Sequence, residues 1–339
     1  MEMQSRIGSL EGIVSELQGK EASLQREKDD LQTEMEVVCR ERCALEEENR
    51  KMKSAWMRQS VIPMSASLIE LKKRVAPGLF DCVVNGYGRA CARCLSETER
   101  ENASLVWKNS QGHPCAHRVF GIVDDPVDNP LGLLEEVELS HSFIIVESLG
   151  AFEGTLEEYL SEHGALEDED MLNVGLGVAS FLAYLHDTGV VHGCLTSRSI
   201  FLKRSRHLKK GGGEDYLLEA VVSEVGMWDP SAINDDRIRW LCDEVIEKEG
   251  LNRQFWDDVW SFGVVMIEMM TGKIPFHSLS TIAPIARAIH SMKFDGIPDT
   301  YMQSMPRFAE LVQSCLLHKP LDRPFMYNVL GIMMDIVNI

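Results

Sequence analysis

The groups in this chain most able to do chemistry are thiols, and their spacing limits what they can do. Nine cysteines are present. Structural zinc sites draw them in pairs, yet Cys91 and Cys94 form a lone CARC with no second pair. On the strand expected there they point away from each other, so they do not make half a metal site. Reduced thiols in the cytosol or nucleus are the consistent reading. Cys194 lies in Val191-His192-Gly193-Cys194-Leu195-Thr196-Ser197-Arg198-Ser199-Ile200. A thiol is a poor proton acceptor at neutral pH unless its pKa is lowered, and nothing nearby in sequence is placed to lower it. A small buried filler is its plain role. A carboxylate, Glu224, follows the apolar strand pattern Leu217 to Val222 in Glu224-Val225-Gly226.

The elements that position these groups belong to an ordinary globular chain. Its 339 residues are 45% hydrophobic and 26% charged, enough for a sizeable core. The net charge is -19. Nine basic and thirteen acidic residues in the first 55 account for about -4 of it, so the remainder is acidic in its own right. That argues against general nucleic-acid or anionic-membrane binding. No N-terminal apolar stretch suggests a signal peptide. The longest apolar run, Phe262 to Met270, contains Glu268 and is far short of a membrane span.

Leu10, Leu17, Leu24, Leu31, Val38, Leu45 and Met52 recur every seven residues, with Ile7, Val14, Glu21, Lys28, Met35, Arg42 and Asn49 at the companion a positions. Leu at d with one Asn at a suits a parallel two-stranded coiled coil. Three charged a positions weaken the seam, and Glu41 against Glu46 repels in a parallel homodimer, which leaves a heterotypic partner open. Residues 1–55 are therefore expected as a coiled coil and 56–67, which lose the heptad and contain Pro63, as a linker.

Around the Cys194 segment, further blocks fall in a fixed order. Ala76-Pro77-Gly78-Leu79-Phe80-Asp81-Cys82-Val83 and Ala90-Cys91-Ala92-Arg93 come first, then His113-Pro114-Cys115-Ala116-His117-Arg118-Val119-Phe120-Gly121. Phe143 to Leu149, Thr155 to Leu160 and a helix ending Tyr184-Leu185-His186 follow. After Glu224 come Cys242-Asp243-Glu244, Asp258-Val259-Trp260-Ser261-Phe262-Gly263 and Leu321-Asp322-Arg323-Pro324. In this order and spacing the chain resembles the eukaryotic protein kinases, in their tyrosine-kinase-like branch, over about residues 68–335. The D-x-W-S-x-G and R-P blocks are the specific ones.

The resemblance implies a bilobal α+β fold, with a β-rich small lobe over 68–149 and a helical large lobe over 150–339. It implies a buried ion pair between Glu244 and Arg323, and Asp258 bracing the catalytic-loop backbone. It implies ATP and Mg²⁺ as the ligands of the cleft, with Gly78, Val83, Arg93, Val146, Glu147 and Leu149 around the nucleotide and Glu224 on the metal. Val146 would be the gatekeeper, and the Leu149 backbone would meet the purine. The partner of Arg93 would come from a helix near 97–110, with Glu101 or Ser104 in the position.

The family's chemistry, however, is largely gone. Its H-R-D-L-x-x-x-N segment has Gly193 for Arg, Cys194 for the proton-accepting Asp, Thr196 for the Lys that follows and Ser199 for the metal-binding Asn. Its D-F-G has Glu224 for Asp, a methylene longer in a site intolerant of misplacement. Its Lys is Arg93, a planar fork on a longer stem. Of the three phosphate-loop glycines only Gly78 remains, and Asp81 adds bulk and negative charge. The expectation is a pseudokinase: a scaffold or allosteric regulator that needs no cofactor and performs no phosphotransfer. Its coil would dimerise it or recruit a protein partner, for instance an active kinase or a signalling protein, in the cytoplasm or nucleus. The alternative is a weak ATP-dependent kinase using Arg93 and Glu224. Lys203, Arg204, Arg206, Lys209 and Lys210, followed by Gly211 to Gly213, are expected to form a basic loop projecting near the cleft. An acidic partner site, a nuclear-import patch, self-masking by the acidic lobe and a plain solvated loop are its readings.

Overall fold

A computed structural model describes residues 63–337 apart from 77, 97–98, 101–111, 128–131, 135–141, 209–213, 228–232, 249–252 and 294–295. The chain divides into two units, Met1–Ser54 and Ala55–Ile339. The expected coiled coil and most of the linker lie outside the described residues.

The smaller lobe is an antiparallel sheet of β1 (Ile69–Ala76), β2 (Leu79–Val84), β3 (Gly88–Leu95), β4 (Val119–Val123) and β5 (Ser142–Glu147), in the order β1-β2-β3-β5-β4. Period-two alternation makes the sheet two-sided. Along β2, Phe80, Cys82 and Val84 are buried on one face, where Phe80 meets Phe143 edge to face with ring centroids 6.1 Å apart. Leu79, Asp81 and Val83 lie on the other. Strand β3 obeys the same rule: Cys91 joins the cluster of Val146 and Met227, whereas Cys94 packs towards Phe80. The two cysteines of CARC thus serve opposite faces, as the strand reading required.

The larger lobe holds α1 (Leu156–His163), α2 (Asp168–Asp187), α3 (Asp243–Glu247), α4 (Phe255–Thr271), α5 (Ile282–His290), α6 (Asp299–Ser304), α7 (Pro306–Cys315) and α8 (Met326–Val337). Helix α4 is its axle: every residue from Asp257 to Met270 is buried, the polar Asp257, Asp258, Ser261 and Glu268 included. Gly272 ends it in the left-handed region at φ 66, where a Cβ would come within 2.4 Å of the Ala165 backbone nitrogen. Only glycine closes that turn. No described helix is long and apolar enough to cross a membrane.

The basic insert is not a loop where the structure describes it. Strands β7 (Ile200–Leu208) and β8 (Glu214–Val222) pair without a break from Ile200 opposite Val222 to Leu208 opposite Glu214, with β6 (Gly154–Thr155) on the outer side of β7. Lys203, Arg204 and Arg206 are exposed strand residues; Lys203 stands directly opposite Glu219, and Arg204 Nε lies 3.6 Å from Glu153. A strand exposed on both faces carries consecutive basic residues such as Lys203 and Arg204 as readily as a loop does, so composition alone misplaced them. Lys209 to Gly213 lie outside the described residues.

Candidate nucleotide cleft

Between the lobes, one face of the sheet forms a roof. Pairing of Asp81 with Cys91 and of Cys91 with Val146 aligns Leu79, Asp81, Val83, Cys91, Arg93 and Val146 on that face. Leu149 and Cys194 pack against the same cluster. Gly78 sits instead at the turn between β1 and β2, at φ 67, its carbonyl accepting from Cys94 N at 2.7 Å.

The floor is braced from α4. Asp258 Oδ2 accepts from His192 N and Oδ1 from Gly193 N, each at 2.8 Å, and His186 Nε2 lies 2.9 Å from Oδ2. Burial opposes ionisation of Asp258, but the His186 hydrogen bond and its neighbours hold the carboxyl below the usual range. Gly193 lies at φ 77, a conformation that favours glycine, where the family has Arg. His192 Nε2 lies 3.0 Å from the Ser223 carbonyl and its Nδ1 3.4 Å from Cys194 N. A carbonyl only accepts and a backbone N–H only donates, so both contacts require the neutral Nε2–H tautomer. Burial, which pushes this imidazole below its ordinary pKa, favours the same form. Farther along, the buried Arg323 guanidinium meets both Glu244 oxygens at 3.0 and 3.1 Å.

The groups that stand for catalytic ones are turned to other uses. Cys194 Sγ donates to the Glu224 carbonyl at 2.9 Å. Burial, reinforced by the Glu224 charge, pushes its thiol far up, so it stays protonated. Ser199 is buried, accepting from Thr196 N at 3.0 Å and donating to Thr196 O at 2.9 Å, a local cap that aims its hydroxyl back into the loop. Glu224 occupies the left-handed region at φ 61, an uncommon place for a side chain this long. Arg93 claims its carboxylate: Nη1 is 2.6 Å from Glu224 Oε1, and Nη2 is 3.1 Å from Glu99 Oε1. Burial works against the Arg93 charge, and Glu224 and Glu99 more than offset it. Among the described residues Glu99 partners Arg93 from this region; the expected Glu101 and Ser104 lie outside the described residues.

Sequence reasoning missed one residue here. His117 lies within the His113 to Gly121 block, where the kinase family's H-P-N-I-V-x-L-x-G pattern has Val; an imidazole at that aliphatic position is the available signal. The chain from 115 to 118 threads between the lobes: His117 N donates to Val222 O, Val222 N to Cys115 O and Glu147 N to Arg118 O, at 2.7 to 2.9 Å. That fixes the His117 side chain between residues 147 and 223. Its Nε2 lies 3.2 Å from Glu147 O and its Nδ1 3.1 Å from Ser223 Oγ. The carbonyl requires Nε2–H, leaving Nδ1 to accept from the serine. Burial pushes the imidazole down to about 4, so it is neutral at pH 7. The rings of Phe152 and Phe201 flank it, with centroids 5.4 and 5.3 Å away.

These observations test the fit of a metal–nucleotide complex. The hinge carbonyl of Glu147 is taken by His117, the Glu224 carboxylate by Arg93, and the Ser199 hydroxyl by Thr196. Asp81 adds an acid to the roof. Each of the first three groups is engaged within the chain, and binding of ATP and Mg²⁺ would require them to exchange or share those partners.

The family description "Protein tyrosine and serine/threonine kinase" matches residues 130–333. The chain belongs to this kinase family. It is similar to the serine/threonine/tyrosine-protein kinase HT1 of Arabidopsis thaliana, with 27% identity over 53% of the chain and 44% of that protein. It is similar to the serine/threonine-protein kinase STY17 of the same plant, with 23% identity over 79% of the chain and 45% of that protein. A probable serine/threonine-protein kinase of Dictyostelium discoideum is 28% identical over 56% of the chain and 11% of its own length. The chain thus spans less than half the length of each of these relatives. The two lobes are those of the kinase fold, and the Asp258 brace and Glu244–Arg323 pair expected of it are in place.

Proposed function

We propose that this kinase-family chain is catalytically inactive and acts through protein–protein contact, as a scaffold or allosteric regulator dimerised or recruited by its N-terminal heptads. The observation that carries this is the state of Cys194: a protonated thiol bonded to the Glu224 carbonyl where a proton acceptor is needed. Loss of a general base alone costs roughly 10²–10⁴-fold, and losing the metal clamp removes a larger electrostatic contribution. The retained anchors, by contrast, preserve the shape of the lobes, which is what a partner reads. A signalling protein or an active kinase is the class of partner proposed, in the cytoplasm or nucleus. The test is transfer of radiolabelled phosphate from ATP to the chain itself or to a generic substrate, with Mg²⁺ or Mn²⁺. None is expected; robust transfer abolished by Glu224→Ala would overturn the proposal.

The second reading, a weak kinase using Arg93 and Glu224, draws on their direct contact, which keeps a cation and a carboxylate together in the cleft. It requires turnover lost on Arg93→Ala.

A further inference from the structure

We propose that Asp243, Glu247 and His290 bind a first-row divalent cation of the zinc class, tying α3 to α5. One ligand atom from each residue lies within 4.8 Å of the other two. Asp243 and Glu247 are one turn apart on the same helix face, and His290 is the last residue of α5, where the helix dipole favours a cation. His290 Nδ1 is 2.8 Å from Asp243 Oδ2. Tetrahedral zinc with bonds of about 2.1 Å needs donor atoms roughly 3.4 Å apart. Glu247 and His290 are exposed, so side-chain rotation alone closes the remaining gap.

A second observation points to an ion. The Asp243 side chain is only 9% exposed, yet outside this cluster it meets no hydrogen-bond or ion-pair partner among the described residues. Neither does Glu247 among those residues. His290 balances the charge of this buried carboxylate only when protonated, whereas a bound cation balances it with the imidazole neutral. The neighbouring Glu244, in contrast, is fully engaged by Arg323. Asp243 stands where the family's A-P-E segment has Pro, so its carboxylate is this chain's own addition. One imidazole and two carboxylates suit zinc or its neighbours better than Ca²⁺, which takes six to eight oxygens. Three protein ligands leave a fourth position for water or for a group brought by a partner.

The test is titration of the full chain with Zn²⁺ by calorimetry and with Co²⁺ by absorption. Expected is one ion per chain in an all-N/O cobalt spectrum, with affinity falling on the order of tenfold or more in both His290→Ala and Glu247→Gln. Both residues are exposed, so the variants should keep the wild-type melting temperature without metal. Unchanged affinity in the variants, or a thiolate-to-cobalt charge-transfer band that places the ion on cysteine, would overturn the proposal. So would absence of binding up to about millimolar Zn²⁺.

Discussion

His117 shows how one side chain can close a site that the backbone leaves open. Its imidazole spends both nitrogens, one on the Glu147 carbonyl and one on Ser223. Replacing it by Val, the residue the family pattern has there, frees that carbonyl. His117→Val is therefore expected to gain an ATP-dependent thermal shift that the wild type lacks. At about 100 times Kd the ligand contributes about 2.7 kcal/mol, or about 5 °C for a domain of this size. Equal shifts in both proteins would show that the imidazole does not guard the hinge. The same residue makes a pH prediction. Its folded-state pKa of about 4 lies below the ordinary 6.5, so the unfolded chain binds the extra proton between those values. The stability it confers is present above pH 6.5 and is lost as pH falls towards 4. His117→Val should flatten that limb of a plot of melting temperature against pH.

Helix α4 organises the large lobe, because its buried polar residues reach out to fix neighbouring segments. Glu268 lies 2.7 Å from Ser197 Oγ and accepts from Trp240 Nε1 at 3.0 Å. Burial pushes its carboxyl up to about 8, opposed only in part by those two hydrogen bonds, so it is neutral at pH 7. Here the folded state holds the proton more tightly than the unfolded chain. The contribution is complete below the ordinary 4.5 and declines as pH rises to about 8. Glu268→Gln is isosteric with the protonated acid and should remove that decline, so the variant gains on the wild type as pH rises from 5 to 8. A constant difference in melting temperature across that window would refute the assignment. The Glu244–Arg323 pair makes a second prediction at this scale. Arg323→Ala leaves a carboxylate against the core and should cost about 3–5 kcal/mol in urea denaturation; a loss below about 1 kcal/mol would place the pair with ordinary surface contacts.

The whole-molecule question is what holds this chain to a partner. Under the proposed function, its surfaces and N-terminal heptads are the means of action. Charged substitution of two core d positions, Leu24→Lys with Leu31→Lys, should abolish self-association or partner capture by the full chain while leaving thermal unfolding of the two lobes unchanged. Sedimentation equilibrium reads the first and calorimetry the second. Undiminished assembly would move the contact to the lobes.

What the sequence alone determined was written in local spacing: strand alternation in β2 and β3, the buried α4, the Asp258 brace, the Glu244–Arg323 pair and the presence of Cys and Ser at positions 194 and 199, where the family pattern has Asp and Asn. These depend on residue type within a motif, and motifs survive in one dimension. The tertiary structure decided which long-range partners those groups chose. Glu224, 131 positions away, reached Arg93 Nη1, because the approach of two separate elements sets that distance. The described part of the basic insert, up to Leu208, became a strand, because pairing with Glu214 to Val222 overrode its loop-like composition. His117 acquired meaning only when residues 147 and 223, separated by 76 positions, were brought to either side of one imidazole. Hydrogen bonds act over about 3 Å, and only folding brings groups so distant in sequence within that range.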